Sequence, residues 1–291
     1  MLTKTFSPKE LADVVGVSES SIKRWGDAGL IDVTRTAGGH RRIGMYAALR
    51  FIREQEMQVV RPDLLGLPDL EALPADAYAA ELTTDSFYEA LLAGEPPHAR
   101  GMIVAAYLGG TSPAALFDGP IAGALERLGR RWLEDERGIY EEHVATATCL
   151  EAVNQLRLLV PPPEDGAPVA LGGAPEQDPY LLPSMMVATV LADAGYRAVN
   201  LGPNAPVSTF VHGMEDNRPA LVWLAAKAPL PEAERAAFIE QVCQPLQAEG
   251  GEVVLGGTAA EADSAAWPEG TRICYTMQDL AVYARQARRA A

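Results

Sequence analysis

The sequence predicts a multidomain chain of mixed α and α/β class: an N-terminal winged helix-turn-helix, a four-helix bundle, and a C-terminal Rossmann-like, flavodoxin-like domain. Three observations predict it. A serine-capped helix pair leads into Arg35-Thr36-Ala37-Gly38-Gly39-His40-Arg41-Arg42, three arginines about a glycine hinge. Residues 85–160 are rich in alanine and leucine at helical spacing, broken at Pro96-Pro97, Gly109-Gly110 and Gly138. Beyond Pro161-Pro162-Pro163, short apolar runs alternate with helical stretches, the pattern of a parallel sheet with crossover helices.

The elements follow in order. Ser7-Pro8-Lys9-Glu10 reads as a helix start, with Ser as N-cap, Pro at the first helical position and Glu three residues after the cap. Gly16 ends that helix, and Ser18 opens a second that buries Ile22 and Trp25 and turns Ser20, Ser21, Lys23 and Arg24 outward. Leu30–Val33 and His40–Ile43 are expected to pair as strands around Ala37-Gly38-Gly39. A third helix is expected over Tyr46–Val60. Residues 61–84, rich in Pro, Asp and Leu, read as a weakly structured linker. Four bundle helices are expected near 85–93, 98–108, 113–133 and 139–159. Strands are expected at Val169–Leu171, Ala198–Leu201, Leu221–Leu224, Val253–Leu255 and Arg272–Tyr275. Helices are expected near 182–194, 206–215, 231–249, 259–264 and 277–290. The domain boundaries read as 1–75, 80–160 and 166–291.

Charge is divided unevenly. The chain carries −15 overall, yet residues 1–60 hold nine Lys/Arg against seven acids, and the remainder carries −17. Such a chain meets DNA only through a local basic surface, and the N-terminal segment is the place for one. The expected partner is double-stranded promoter or operator DNA. No apolar run approaches the roughly 18 residues of a membrane helix, and Met1–Phe6 lacks a signal peptide's apolar core, so the expected location is cytoplasmic, away from membranes. Cys149, Cys243 and Cys274 are odd in number and far apart, which argues against disulfides or a zinc site. No GxSxG, HExxH or P-loop run occurs, so an enzyme is not expected.

On these residues the N-terminal segment resembles the MerR family, through its Arg-Thr-x-Gly-Gly-His-Arg run. The order of segments resembles the CarA/CarH/LitR photoreceptor repressors, which bind adenosylcobalamin. Trp132 followed after nine residues by Glu142-His143 is similar to that family's Trp-x9-Glu-His signature. The resemblance implies that these three residues pack over a corrinoid. Leu201-Gly202-Pro203-Asn204-Ala205-Pro206 resembles the family's Leu-Gly-Pro-Asp-x-Pro strand end, and Gly256-Gly257 its terminal glycine pair. It implies DNA contacts from Ser20, Ser21, Lys23, Arg24, Arg35, Thr36, His40, Arg41 and Arg42. It also implies a homo-oligomer, dimer or tetramer, whose association responds to light or a tetrapyrrole ligand and represses a promoter.

One departure matters most. The family's lower axial histidine is missing: the corresponding loop reads Glu176-Gln177-Asp178-Pro179-Tyr180. Aligning on the acid puts Asp178 in the ligand position, and counting back from the next helix puts Tyr180 there. The four histidines, His40, His98, His143 and His212, all lie elsewhere. The family's later Ser-x-Leu reads Ala225-Ala226-Lys227 here. Ligand-side candidates are therefore Trp132, Glu142, His143, Asp178, Tyr180, Gly202, Asn204, Gly256 and Gly257. The cofactor stays open, cobalamin or another tetrapyrrole. The alternative function is a corrinoid-dependent methyl-carrier or enzyme with an appended N-terminal module.

Overall fold

The structure, a computed structural model, describes residues 4–74, 81–131, 136–228, 230–258 and 264–290. The chain folds into two compact units, Met1–Val160 and Pro161–Ala291.

The first unit opens with β1 (Thr5–Phe6), α1 (Pro8–Val15) and α2 (Glu19–Asp27), followed by β2 (Thr34–Arg35), β3 (Arg41–Gly44) and α3 (Met45–Glu54). The expected capping box closes α1: Glu10 N donates to Ser7 Oγ at 3.2 Å and Ser7 N to Glu10 Oε2 at 2.7 Å. Gly16 ends α1 in the left-handed region, and Ser18 caps α2 by accepting from Ser21 N. The three short strands pair antiparallel in the order β1-β3-β2. Phe6, Leu11, Val14, Ile22, Ile43, Leu49, Phe51 and Ile52 form the buried centre, with Trp25 tilted over Phe51 at 5.3 Å.

Two details differ from expectation. The first hairpin strand is Thr34–Arg35 instead of Leu30–Val33, whose Ile31 is buried off the strand. Helix α3 stops at Glu54, because Glu56 turns the chain with a φ of 49°.

Residues 61–74 are also more ordered than a linker. Pro62 and Pro68 each start one helical turn, α4 (Pro62–Leu65) and α5 (Pro68–Glu71). Leu65, Leu67, Leu70 and Leu73 are all buried. These leucines supply burial that turn-forming Pro and Asp conceal in the sequence. Asp69 accepts two hydrogen bonds from Arg100, at 3.0 and 2.8 Å, and Arg100 also pairs with Glu151.

Four helical segments follow: α6 (Thr84–Ala93), α7 (Pro96–Leu108), α8 (Pro113–Leu116) and α10 (Glu136–Leu159), with α8 running through a π-helical turn (Phe117–Ile121) into α9 (Ala122–Arg131). They pack as a bundle around Phe87, Leu91, Ile103, Phe117, Ile121, Leu128, Val153 and Leu156. Helix α3 docks on α7, where the Arg53 guanidinium lies 3.5 Å from the Tyr107 ring centre and donates to the carbonyls of Tyr107 and Thr111. Tyr46 donates to Leu158 O at 3.2 Å. Helix α5 crosses α7 at Gly101, where an added Cβ would collide with Asp69 O, a backbone atom with little freedom to move. Ala ordinarily favours a helix over Gly by about 1 kcal/mol. Gly101→Ala should nonetheless destabilise, by about 1–3 kcal/mol, read as a lower urea midpoint. A raised midpoint would show that α5 yields.

The second unit is a Rossmann-like parallel sheet with helices. Strands β4 (Val169–Pro175), β5 (Arg197–Ala205), β6 (Leu221–Ala225), β7 (Glu252–Gly256) and β8 (Thr271–Cys274) lie in the order β5-β4-β6-β7-β8, every pairing parallel. Helices α11 (Leu181–Asp193), α12 (Val207–Asn217), α13 (Glu232–Phe238), α14 (Gln244–Ala248) and a C-terminal helix (Met277–Ala290) connect and cover it. Leu171, Phe210, Val222, Leu224, Phe238, Val242 and Leu255 fill one core. The strand order reverses between β4 and β6, and ligands in such sheets bind outside the strand ends at that reversal. The helix expected at 259–264 falls largely on residues outside those described.

All three cysteines are free and buried. Burial pushes the thiols of Cys149 and Cys243 up to about 12, and that of Cys274 upward as well. A thiol so far above ambient pH carries almost no thiolate, the reactive form. At pH 8 the native protein should therefore release almost no chromophore from a disulfide thiol reagent, and three equivalents once unfolded. A fast equivalent from the folded chain would contradict this.

Candidate functional site

The residues expected to meet DNA lie on α2 and the β2–β3 hairpin, and the structure gives them different duties. Ser20 and Ser21 sit at 2.9 Å from the Ser18 hydroxyl at the start of α2. Thr36 accepts from His40 N at 3.2 Å and donates its own amide to His40 O, closing the hairpin tip. Arg41 is turned inward: it donates to Asp27 Oδ1 at 2.7 Å and to Lys23 O at 3.1 Å, with its side chain only 21% exposed. It braces the hairpin against the end of α2. Lys23 pairs with Glu19 at 2.7 Å, one turn away, and Arg42 stands 3.7 Å from Glu10. Both of these pairs are solvent-exposed and weak. Arg24 and Arg35 project into solvent, Arg35 donating to Gly39 O at 3.3 Å. Lys23, Arg24, Arg35 and Arg42 thus offer charge outward, whereas Arg41 does not.

On the bundle, Trp132 lies outside the described residues. Glu142 accepts from Thr146 at 2.8 Å, and His143 is 74% exposed on α10. Nδ1 of His143 lies 2.9 Å from Ile139 O and 3.1 Å from Glu142 Oε2. Ile139 and Tyr140 beside it are exposed too. One helix face therefore presents an imidazole and two apolar side chains to solvent.

At the strand reversal of the sheet the loop after β4 turns into a knot of hydrogen bonds. Asp178 is fully buried. Its Oδ2 accepts from Lys227 N at 2.7 Å and Ala228 N at 2.9 Å, and its Oδ1 from Tyr180 N at 3.0 Å. Its carbonyl accepts from Asn204 N at 2.9 Å, and Asn204 Oδ1 accepts from Gln177 N at 2.7 Å. Asn204 has a φ of 55°, which asparagine tolerates better than most residues. Asp178 and Asn204 together tie the ends of β4, β5 and β6. Tyr180 begins α11 with its side chain 55% exposed. Gly202 N donates to Asn200 Oδ1 at 3.0 Å, Gly256 O accepts from Ala226 N, and a Cβ on Gly257 would strike Ala226 O.

Beneath this loop lies a cluster that sequence reasoning missed. Ser184 donates to Asn200 Oδ1 at 2.7 Å and accepts from the buried indole of Trp223 at 3.3 Å. A Cβ on Gly172 would run into that indole. Its members are 12 to 51 residues apart in the chain, and none forms a motif with another.

The corrinoid implied by resemblance can be tested against these residues. Imidazole suits a transition metal better than a phenol or carboxylate, and the loop has no histidine. The carboxylate of Asp178 is committed to three backbone amides, and Trp223 fills the space above Gly172. Among the described residues no group of three or more His, Cys, Asp or Glu could hold a metal ion. The residues do not fit a corrinoid ligated by a histidine of this loop. No helix among the described residues is long and apolar enough to cross a membrane.

Comparison with known proteins bears on the bundle and the sheet. Residues 83–157 match the B12 binding domain family. The chain is similar in structure to the monomethylamine corrinoid protein of Methanosarcina barkeri, with a TM-score of 0.51 at 13% identity, over 69% of this chain and 96% of that one. It is more distantly similar to the methanol:cobalamin methyltransferase complex MtaBC of Methanosarcina barkeri, with a TM-score of 0.38 at 16% identity over 70% and 79% of the two chains. A cobalamin-binding protein of Desulfitobacterium hafniense DCB-2 gives a TM-score of 0.37 at 14% identity over 71% and 99%. No curated protein matches by sequence. The first of these likenesses shows a shared fold, and the latter two carry no further weight.

Proposed function

We propose that the protein is a DNA-binding regulator in which a MerR-type winged helix-turn-helix is carried on a corrinoid-binding-type core. One observation carries the reading: Lys23, Arg24, Arg35 and Arg42 each offer charge at the surface of α2 or the hairpin, in the net-positive stretch of an otherwise acidic chain. Phosphates are what such a surface neutralises. The likeness to the monomethylamine corrinoid protein takes in 96% of that protein and 69% of this chain, so about a third of this chain lies outside it. The regulator acts as a repressor and as a dimer or tetramer on paired half-sites. A change in association would then alter affinity through linked binding, by about 10²–10⁴-fold.

The second reading is a corrinoid-dependent methyl-carrier or its partner. The B12 binding domain match and the corrinoid-protein fold favour it, and the comparisons lean this way rather than toward DNA. The loop at Asp178 weighs against it. Two measurements on the purified full chain separate them: DNA-binding anisotropy over a salt series, and an ultraviolet–visible spectrum after incubation with cobalamins. Salt-sensitive DNA binding supports the regulator. Stoichiometric corrinoid with no DNA binding supports the carrier and removes the first reading.

A further inference from the structure

A cavity of about 770 Å³ lies within the first unit, where the chain leaving α3 meets the C-terminal end of α7 and the α8–π-turn segment. Its volume falls in the range of small-molecule sites, about 300–1,000 Å³. The walls are mostly apolar, with Met57, Leu82, Leu108 and Leu116 among them. The charged residues lining it are Glu56 and Glu81, with no Lys, Arg or His among the described residues that line it. Arg53, one helical turn before the lining residue Met57, is engaged with the Tyr107 ring and with the carbonyls of Tyr107 and Thr111.

Two irregularities of backbone meet at this cavity. Glu56 holds a φ of 49°, a conformation that residues other than glycine seldom adopt. The wall on the other side includes Gly119 and Pro120 of the π-helical turn. The first ends α3, with Met57 N returning to Ile52 O at 2.8 Å, and π-helical turns concentrate at functional sites. We infer that this cavity is a binding site for a small organic cation with an apolar body, held by burial of that body against the leucines and by the two carboxylates. The site is independent of the DNA-binding reading. Its occupant touches both the chain that leaves α3 and the bundle.

The test is calorimetric titration of the full chain with tetraphenylphosphonium, and with tetraphenylborate as an anion of the same shape. The phosphonium should bind saturably, one per chain, and at least ten-fold more tightly than the borate. Glu56→Gln/Glu81→Gln should weaken it about 3–10-fold, the effect of two solvent-exposed ion pairs. Ala106→Trp, which fills the cavity from a half-buried wall position, should abolish it. Borate binding as tight as phosphonium, binding unchanged in either variant, or no saturable binding in the wild type would each overturn the inference.

Discussion

Asp178→Ala should destabilise the C-terminal unit by about 3–5 kcal/mol, the summed loss of three charge-assisted hydrogen bonds after partial relaxation. The carboxylate is fully buried and holds the amides of Tyr180, Lys227 and Ala228. Removing it leaves those donors unpaired at the ends of β4 and β6. Asp178→His would break the same bonds, so it should not create a cobalt ligand in a folded loop. Tyr180→His is different. That side chain is 55% exposed, and replacement should cost within about 0.5 kcal/mol. Urea denaturation of the three variants checks this. A loss below 1 kcal/mol for Asp178→Ala would show that the loop is not held by its carboxylate.

On the regulator reading, Arg35→Ala/Arg42→Ala should lower the log–log salt slope of DNA binding by about 2, near one unit per lost phosphate contact. Affinity should fall by roughly 100-fold, from about 1.5 kcal/mol for each charge-assisted bond. Arg41→Ala should behave otherwise. Its guanidinium is spent on Asp27 and Lys23 O, so affinity should fall while the slope stays within about half a unit of wild type. Anisotropy over a salt series separates the two. Equal slope losses for Arg41 and for either outward arginine would return Arg41 to the phosphates.

Much of this architecture was legible because it is written in local signals. Ser7 and Glu10 announce α1, and the sheet follows from alternating apolar runs and helices. The B12 binding domain match at residues 83–157 falls on the alanine-rich helices already separated by Pro and Gly. What escaped depends on distant partners. Strand β1 is two residues long and exists because Phe6 finds Ile43. Residues 61–74 look like loop because Pro and Asp dominate, while their leucines acquire a purpose only against α1 and α7. Asp178 looked like a displaced ligand position. Its bonding partners Lys227 and Ala228 lie 49 and 50 residues away, beyond any spacing rule. Arg41 and Arg42 are neighbours in sequence, and only the pleat of β3 sends one toward Asp27 and the other toward Glu10.

The clamp of Arg53 on Tyr107, with Tyr46 reaching Leu158 O, has a consequence for how a promoter would be read. A DNA-binding segment on a slack tether can swing to reach its site. One fastened to its bundle at two points cannot reorient alone. On the regulator reading, a symmetric pair of such chains would inherit the angle between its two N-terminal segments from the bundles. Half-sites would then have to share a face of the duplex, which repeats every 10–10.5 base pairs or so. Inserting about five base pairs between them would rotate one away and abolish joint occupancy, and inserting about ten would restore the phase.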